Sequence, residues 1–189
     1  TVDIIYDGDP LARVAVGDID PDPGREIYAG TDTLDGHVLG FKLQEDGNWS
    51  YQNVFVDTDK NRGVWVGDVD PLIPGTELYT YGYSTKLSQV TGSFATGWSS
   101  RTVFEDTARG HEIRIGDIKS DNPGNEIALV GYSRGVTIVY PSDWKADIAY
   151  RTSGPNDALD GVAIGDADPN HEGQEVISVA RDFNVYITK

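Results

Sequence analysis

A Gly-Asp dipeptide behind a short alternating apolar stretch recurs at Gly17-Asp18, Gly67-Asp68, Gly116-Asp117 and Gly165-Asp166, separated by 50, 49 and 49 residues. Each copy continues alike, as GDIDPDPGREIYAG, GDVDPLIPGTELYTY, GDIKSDNPGNEIALV and GDADPNHEGQEVISV. The shared turn ends in Gly24, Gly75, Gly124 and Gly173, and Glu26, Glu77, Glu126 and Glu175 follow two residues later. Self-similarity at a fixed period marks units that bury their apolar faces only by stacking on one another. Any fold for this chain must therefore pack four equivalent units side by side.

Within a copy every segment reads as strand. RVAVGD alternates and is rich in Val, and EIYAG follows a Pro/Gly turn. HVLGFKL makes a third strand and WSYQNVFVD a fourth that opens on Trp49. Trp98 and Trp144 open the matching strands of the next two copies, and this recurrence points to a structural task for all three. No stretch combines a helical period with caps. Four strands in about fifty residues is the size of a propeller blade, so the expected fold is an all-β, four-bladed β-propeller of four-stranded antiparallel blades. The repeats run over about 12–59, 62–108, 111–152 and 160–189 as one domain.

The last copy has three strands, ending in NVYITK, whereas TVDIIYD precedes the first copy. Ile4 stands 13 residues before Gly17, as Val54 does before Gly67 and Val103 before Gly116. Residues 1–7 thus occupy the register of an outer fourth strand. They are expected to pair with the last blade, close the ring and cover its open edge. Two chains joining in an eight-bladed ring is the alternative.

The copies resemble FG-GAP/VCBS-type propeller repeats through their apolar-GD-x-D…G-x-E-[ILV] core and a Trp-led outer strand such as DWKADIAY. That family includes lectins, rhamnogalacturonan lyases and aldos-2-ulose dehydratase, so the resemblance implies the propeller fold and leaves binder or enzyme open. In the family the first turn often reads D-x-D-x-D-G-x-x-D and holds Ca²⁺. Here Pro21, Pro71 and Pro169 replace the expected Gly, and the closing acid is Glu.

Calcium needs six to eight oxygens in a tight loop. Asp18, Asp20, Asp22 and Glu26 alternate suitably; Asp68, Asp70 and Glu77 are sparser, as are Asp166, Asp168 and Glu175. The third turn carries Lys119 where the second Asp would stand, so it must form without a metal. The competing role for these acids is structural, with Asp capping the turn and Glu bonding its neighbours.

The other face carries the more variable residues. Five positions before each Gly-Asp glycine stand Ala12, Arg62, His111 and Asp160, around one mouth of the central channel. Arg62, His111 and Asp160 could orient a carboxylate or hydroxyl ligand, perform acid–base work, or simply settle each other's charge. Tyr83 and Tyr132 lie in G-Y-S turns and Phe183 in an RDFN turn on the same face. Aromatics beside Asp or Asn suit sugar rings, by stacking and directed hydrogen bonds. An ALDG insertion lengthens the inter-blade loop around Asp157 to Gly161, a place for specificity.

Composition narrows the partners. Fifteen basic residues against thirty-one acidic give a net charge of −16, which repels nucleic acid and anionic membranes. No apolar run is long enough to cross a membrane. The absence of Cys excludes disulfides and thiolate chemistry, and a start at Thr1 without any Met suits a secreted protein whose signal was removed. The expectation is a non-catalytic propeller, monomeric or homodimeric, binding a glycan or protein ligand on its inter-blade loop face. No cofactor beyond Ca²⁺ is implied. The alternatives are a lyase- or dehydratase-type enzyme using His111, Arg62 and Asp160, and an interaction or assembly module.

Overall fold

Alternating Val, Ile and Tyr between Pro/Gly turns produces strands throughout, and a computed structural model of the chain describes residues 2–119 and 121–189. Among these residues fifteen strands and no helix occur. Blade 1 comprises β1 (Leu11–Gly17), β2 (Glu26–Thr31), β3 (His37–Leu43) and β4 (Trp49–Val56). Blade 2 comprises β5 (Gly63–Gly67), β6 (Glu77–Tyr81), β7 (Lys86–Ser93) and β8 (Gly97–Glu105). Blade 3 comprises β9 (Gly110–Gly116), β10 (Glu126–Gly131), β11 (Gly135–Tyr140) and β12 (Lys145–Arg151). Blade 4 contains β13 (Leu159–Gly165), β14 (Glu175–Ala180) and β15 (Val185–Thr188). Each blade is an antiparallel meander in sequence order, which makes the chain an all-β, four-bladed propeller.

The Gly-Asp signature fixes the register. Gly17 pairs with Glu26, Gly67 with Glu77, Gly116 with Glu126 and Gly165 with Glu175, so the β-hairpin of every blade starts at the same place. Each seam between blades is an apolar core. Ala15, Tyr28, Val38 and Val54 of blade 1 meet Val64, Leu78 and Val90 of blade 2. Tyr79, Tyr81 and Leu87 meet Ile113, Ile127, Leu129 and Val139; Ala128, Val130, Val136 and Ile138 meet Leu159, Val162 and Val176. Two of the repeated tryptophans work in these seams, Trp98 edge-on to Tyr28 and Trp144 tilted over Tyr79, whereas Trp49 packs against Phe41 and Leu39 within blade 1.

The expected closing strand is absent. Residues 2–7 form no strand, and blade 4 has three strands with β15 paired on one side only, to β14. Ile5 and Tyr6 pack instead on Leu39, Phe41 and Ala29 of blade 1, with Tyr6 edge-on to Phe41 at 5.5 Å. The inner strands β1, β5, β9 and β13 contact in succession, but Gly165 of β13 has no neighbour within 4 Å of a Cβ placed on it and Val14 and Val16 of β1 are exposed. The physical reason is local. Phe41 and Ile27 offer the segment an apolar surface a few residues away, whereas the edge of β15 lies at the far end of the array.

Candidate functional site

Two broken rings of residues, open between blades 4 and 1, border one mouth of the channel. Ala12, Arg62, His111 and Asp160 lie at the starts of the inner strands. The second ring is Asp32, Tyr83, Tyr132 and Arg181, in the turns after β2, β6, β10 and β14. One recurring bond sets them in equivalent places: the backbone N–H of each donates to the carbonyl of Pro10, Lys60, Arg109 or Ala158 at 2.8–3.0 Å. The inter-blade loop and the turn are thereby tied together at every blade.

Side chains link the rings into one network. Arg62 donates to both oxygens of Asp32, at 2.8 and 2.9 Å, and Lys60 adds an ion pair to the same carboxylate at 3.1 Å. Tyr83 lies between two guanidinium groups, those of Arg62 and Arg109, 5.2 and 4.9 Å from its ring centroid. His111 stands edge-on to Tyr132 at 4.5 Å, and its Nδ1 lies 2.6 Å from Asp160 and 3.2 Å from the Leu159 carbonyl. Arg181 holds Asp160 through two nitrogens, donates to the Tyr132 hydroxyl at 3.3 Å and covers the Tyr132 ring at 5.0 Å.

Burial decides how these groups ionise. His111 is only 4 % exposed, and burial holds its pKa below the ordinary imidazole value although the Asp160 carboxylate opposes this. Burial thus favours the neutral imidazole, and Nδ1 faces two oxygens, those of Asp160 and the Leu159 carbonyl. Its Nε2 is buried without a partner. Burial would raise Asp160, but Arg181 and His111 outweigh it and hold the carboxyl below the usual range. The Tyr132 hydroxyl is lowered by hydrogen bonding to Tyr83 and Arg181.

Arg62, His111, Asp160, Tyr83 and Tyr132 thus fall in one connected cluster. Phe183 does not join it. It occupies the position of Thr85 and Arg134, three residues past the start of each turn, where the backbone is left-handed with φ of 61–69°. Its ring is 98 % exposed, whereas Thr85 and Arg134, with the same backbone, are partly covered. Asp32 and Arg181 are site residues the sequence reading missed. They share a repeat position with Tyr83 and Tyr132, and that position was the available signal.

Beside the network a cavity of about 490 Å³ opens between blades 3 and 4, lined by Tyr132, Arg134, Arg181 and the 155–158 loop. It lies against the lengthened inter-blade loop, whose Asn156 and Asp157 face it. Arg134 is anchored by donation to the Gly154 carbonyl at 2.8 Å, which fixes the loop relative to the cavity wall.

The carboxylate turns lie elsewhere and are built from internal bonds. One oxygen of each closing Glu accepts the backbone N–H groups that start the turn: Ile19 for Glu26, Val69 and Asp70 for Glu77, Ile118 and Lys119 for Glu126, Ala167 and Asp168 for Glu175. Glu26 and Glu77 also accept from Tyr28 and Tyr79, and burial raises both carboxyls. Asp20 and Asp70 are buried and ion-paired with Lys42 and Arg101; Asp168 pairs with Lys189. Burial acts to raise Asp20, yet N–H donors from Asp22 and Phe94, with Lys42, keep it lowered. Asp18, Asp68 and Asp166 are exposed, and the exposed Asp22 meets the buried Asp20 only through Lys42, whose ammonium stands 3.0 and 3.2 Å from the two carboxylates. Among the described residues no three acids or histidines are grouped to hold a metal. The donor set fits Ca²⁺ poorly, because Asp20, Asp70 and Asp168 already face N–H groups, ammonium or guanidinium, and of the Glu77 oxygens only Oε1 is buried without a partner.

No known family matches the sequence, and no curated protein matches it. Solved structures do. The crystal structure of the WD40 β-propeller domain of Doa1 aligns with a TM-score of 0.61 at 13 % identity, covering 97 % of this chain and 56 % of that one. At that identity the likeness shows the fold alone. The chain spans about half the length of the propeller it matches. Among the described residues no helix is long and apolar enough to cross a membrane.

Proposed function

We propose that this chain is a non-catalytic binding module whose ligand is a hydroxyl-rich molecule of sugar size, held between blades 3 and 4 on the inter-blade loop face. One observation carries the reading: the cavity of about 490 Å³ in which Tyr132, Arg134 and Arg181 face Asn156 and Asp157. The volume suits a small ligand, and a half-exposed aromatic beside amide, carboxylate and guanidinium groups supplies stacking plus directed hydrogen bonds. Catalysis has less support. His111, the natural acid–base group, is enclosed by Tyr132 and Tyr83, with Nδ1 engaged and Nε2 buried, and so has no path to a substrate proton.

Titration with neutral and acidic mono- and oligosaccharides, followed by amide chemical shifts, tests the reading. The expected result is saturable shifts around Tyr132 and Asn156. No shift with any sugar at millimolar concentration would sink it.

A protein ligand is the second reading. The Arg109 guanidinium is exposed over Tyr83, its nearest carboxylate oxygen, on Asp59, 4.0 Å away, and Arg with Tyr at a mouth is the usual make-up of a protein hot spot. Shifts confined to Tyr83 and Arg109 on adding acidic peptides, with none at Asn156, would favour it over the sugar.

A further inference from the structure

The three blade seams share one device. On each inner strand the apolar residue just before Gly-Asp reaches the glycine of the preceding blade. A Cβ placed on Gly17 would lie 2.2 Å from Val66; on Gly67 it would meet Ile115 at 3.0 Å, and on Gly116 Ile164 at 2.9 Å. Gly165 is the fourth member of the glycine series and has nothing within 4 Å. Val16 is the first member of the apolar series, and it is 57 % exposed. One end of the array therefore carries an empty hole and the other an unused knob of matching shape.

The surroundings of both agree. Blade 4 leaves Val179, Val185 and Ile187 exposed on the face that in blades 1–3 is sealed by the next blade. Blade 1 leaves Val14 and Val16 exposed, beside a groove of about 480 Å³ between β1 and the segment Asp3–Tyr6. Both surfaces continue an interface that the chain already forms three times.

We propose that a second copy of this chain covers both faces head to tail, so that two copies close one eight-bladed ring. Val16 of each copy then seats on Gly165 of the other, and no free blade face remains. A single chain does not make this contact, since nothing lies within 4 Å of a Cβ on Gly165 and Val16 is exposed. The register of residues 2–7 completes the seam. Ile4 stands as far before Gly17 as Val54 does before Gly67, so the segment can leave its groove on blade 1 and add to the free edge of β15 in the other copy.

Sedimentation of the intact chain tests this, with Val16→Asp, Gly165→Val and, as a control, Val56→Asp on the exposed outer strand β4. The expected mass is twice the 20.6 kDa of one chain for the unaltered protein and for Val56→Asp. It is expected to fall to one chain for the two seam variants. Both seam positions are open in the single chain, so circular dichroism is expected to show the fold retained. A monomer at every concentration would overturn the proposal, as would an open-ended polymer or a dimer indifferent to both seam substitutions.

Discussion

Glu77→Ala takes the acceptor from three donors at once. In the native turn a single Glu77 oxygen accepts the N–H groups of Val69 and Asp70 at 3.2 and 3.3 Å and the Tyr79 hydroxyl at 3.0 Å. The side chain is wholly buried, so water cannot replace it without opening the turn. Each buried donor left unpaired costs about 1–3 kcal/mol. One effect reduces the sum: removing Glu77 also removes a carboxylate whose burial is unfavourable enough to raise its pKa, although Tyr79, which goes on accepting from Gln89 at 3.0 Å, keeps an unpaired O–H. A net loss of about 3–4 kcal/mol is expected, which for a chain of this size lowers Tm by roughly 10 °C.

The assay is calorimetric melting of the unaltered chain and Glu77→Ala, each with Ca²⁺ and with chelator. If hydrogen bonds and ion pairs alone close the turns, the loss is the same in both solutions and the unaltered Tm ignores chelator. A cation bound only by the folded state would raise Tm with its concentration. The reasoning is refuted if Ca²⁺ raises the unaltered Tm and the rise disappears in Glu77→Ala.

Three further outcomes are expected. His111 has a folded pKa below its unfolded 6.5, so its contribution is full above 6.5 and is lost as the pH falls through 6.5 toward the folded value; urea melts of His111→Gln should show a smaller loss over that interval. Tyr132→Ala should weaken sugar binding by about 1–2 kcal/mol, roughly tenfold in Kd by titration calorimetry, with little change in Tm because the side chain is 38 % exposed. Gly17→Ala should cost about 1–3 kcal/mol in urea unfolding and more than Gly67→Ala, since the new Cβ meets Val66 at 2.2 Å in one case and Ile115 at 3.0 Å in the other.

Much of the fold was readable because the signals were local and repeated. HVLGFKL coincides with β3, and the Gly-Asp and Glu positions pair in all four blades, because alternation and a fixed turn length leave one register open. The mouth was partly readable for the same reason: repeat position alone brought Arg62, His111 and Asp160 together. Asp32 and Arg181 escaped notice because Tyr83 and Tyr132 drew attention to aromatic chemistry rather than to their shared place in the turn. Phe183 misled in the opposite way. It is aromatic and in the right turn, but its ring stands 98 % exposed, where Arg134 at the same repeat position is covered by the loop it bonds. Closure of the ring was not readable at all. Register assigns residues 2–7 to an outer strand, but the choice between a nearby apolar face and a distant β edge is tertiary.

The charge pattern bears on what the mouth can select. A chain of net charge −16 repels anions at most of its surface, yet five of its fifteen cationic residues, Lys60, Arg62, Arg109, Arg134 and Arg181, gather at this one opening and its cavity. Asp32 engages Lys60 and Arg62, and Asp160 engages Arg181, while Arg109 is 4.0 Å from Asp59 and largely exposed. Paired charges mainly fix geometry, and here they hold the Tyr83 and Tyr132 rings in place. Arg109 is the least committed cation of the group. A neutral ligand at the cavity between blades 3 and 4 depends on shape and hydrogen bonds and so barely on salt. A carboxylate reaching Arg109 would add an attraction that salt screens. The salt dependence of affinity therefore reads whether a ligand brings a carboxylate to the mouth, and comparing the loss of Arg109 with the loss of the cavity residue Arg134 tells which part it uses.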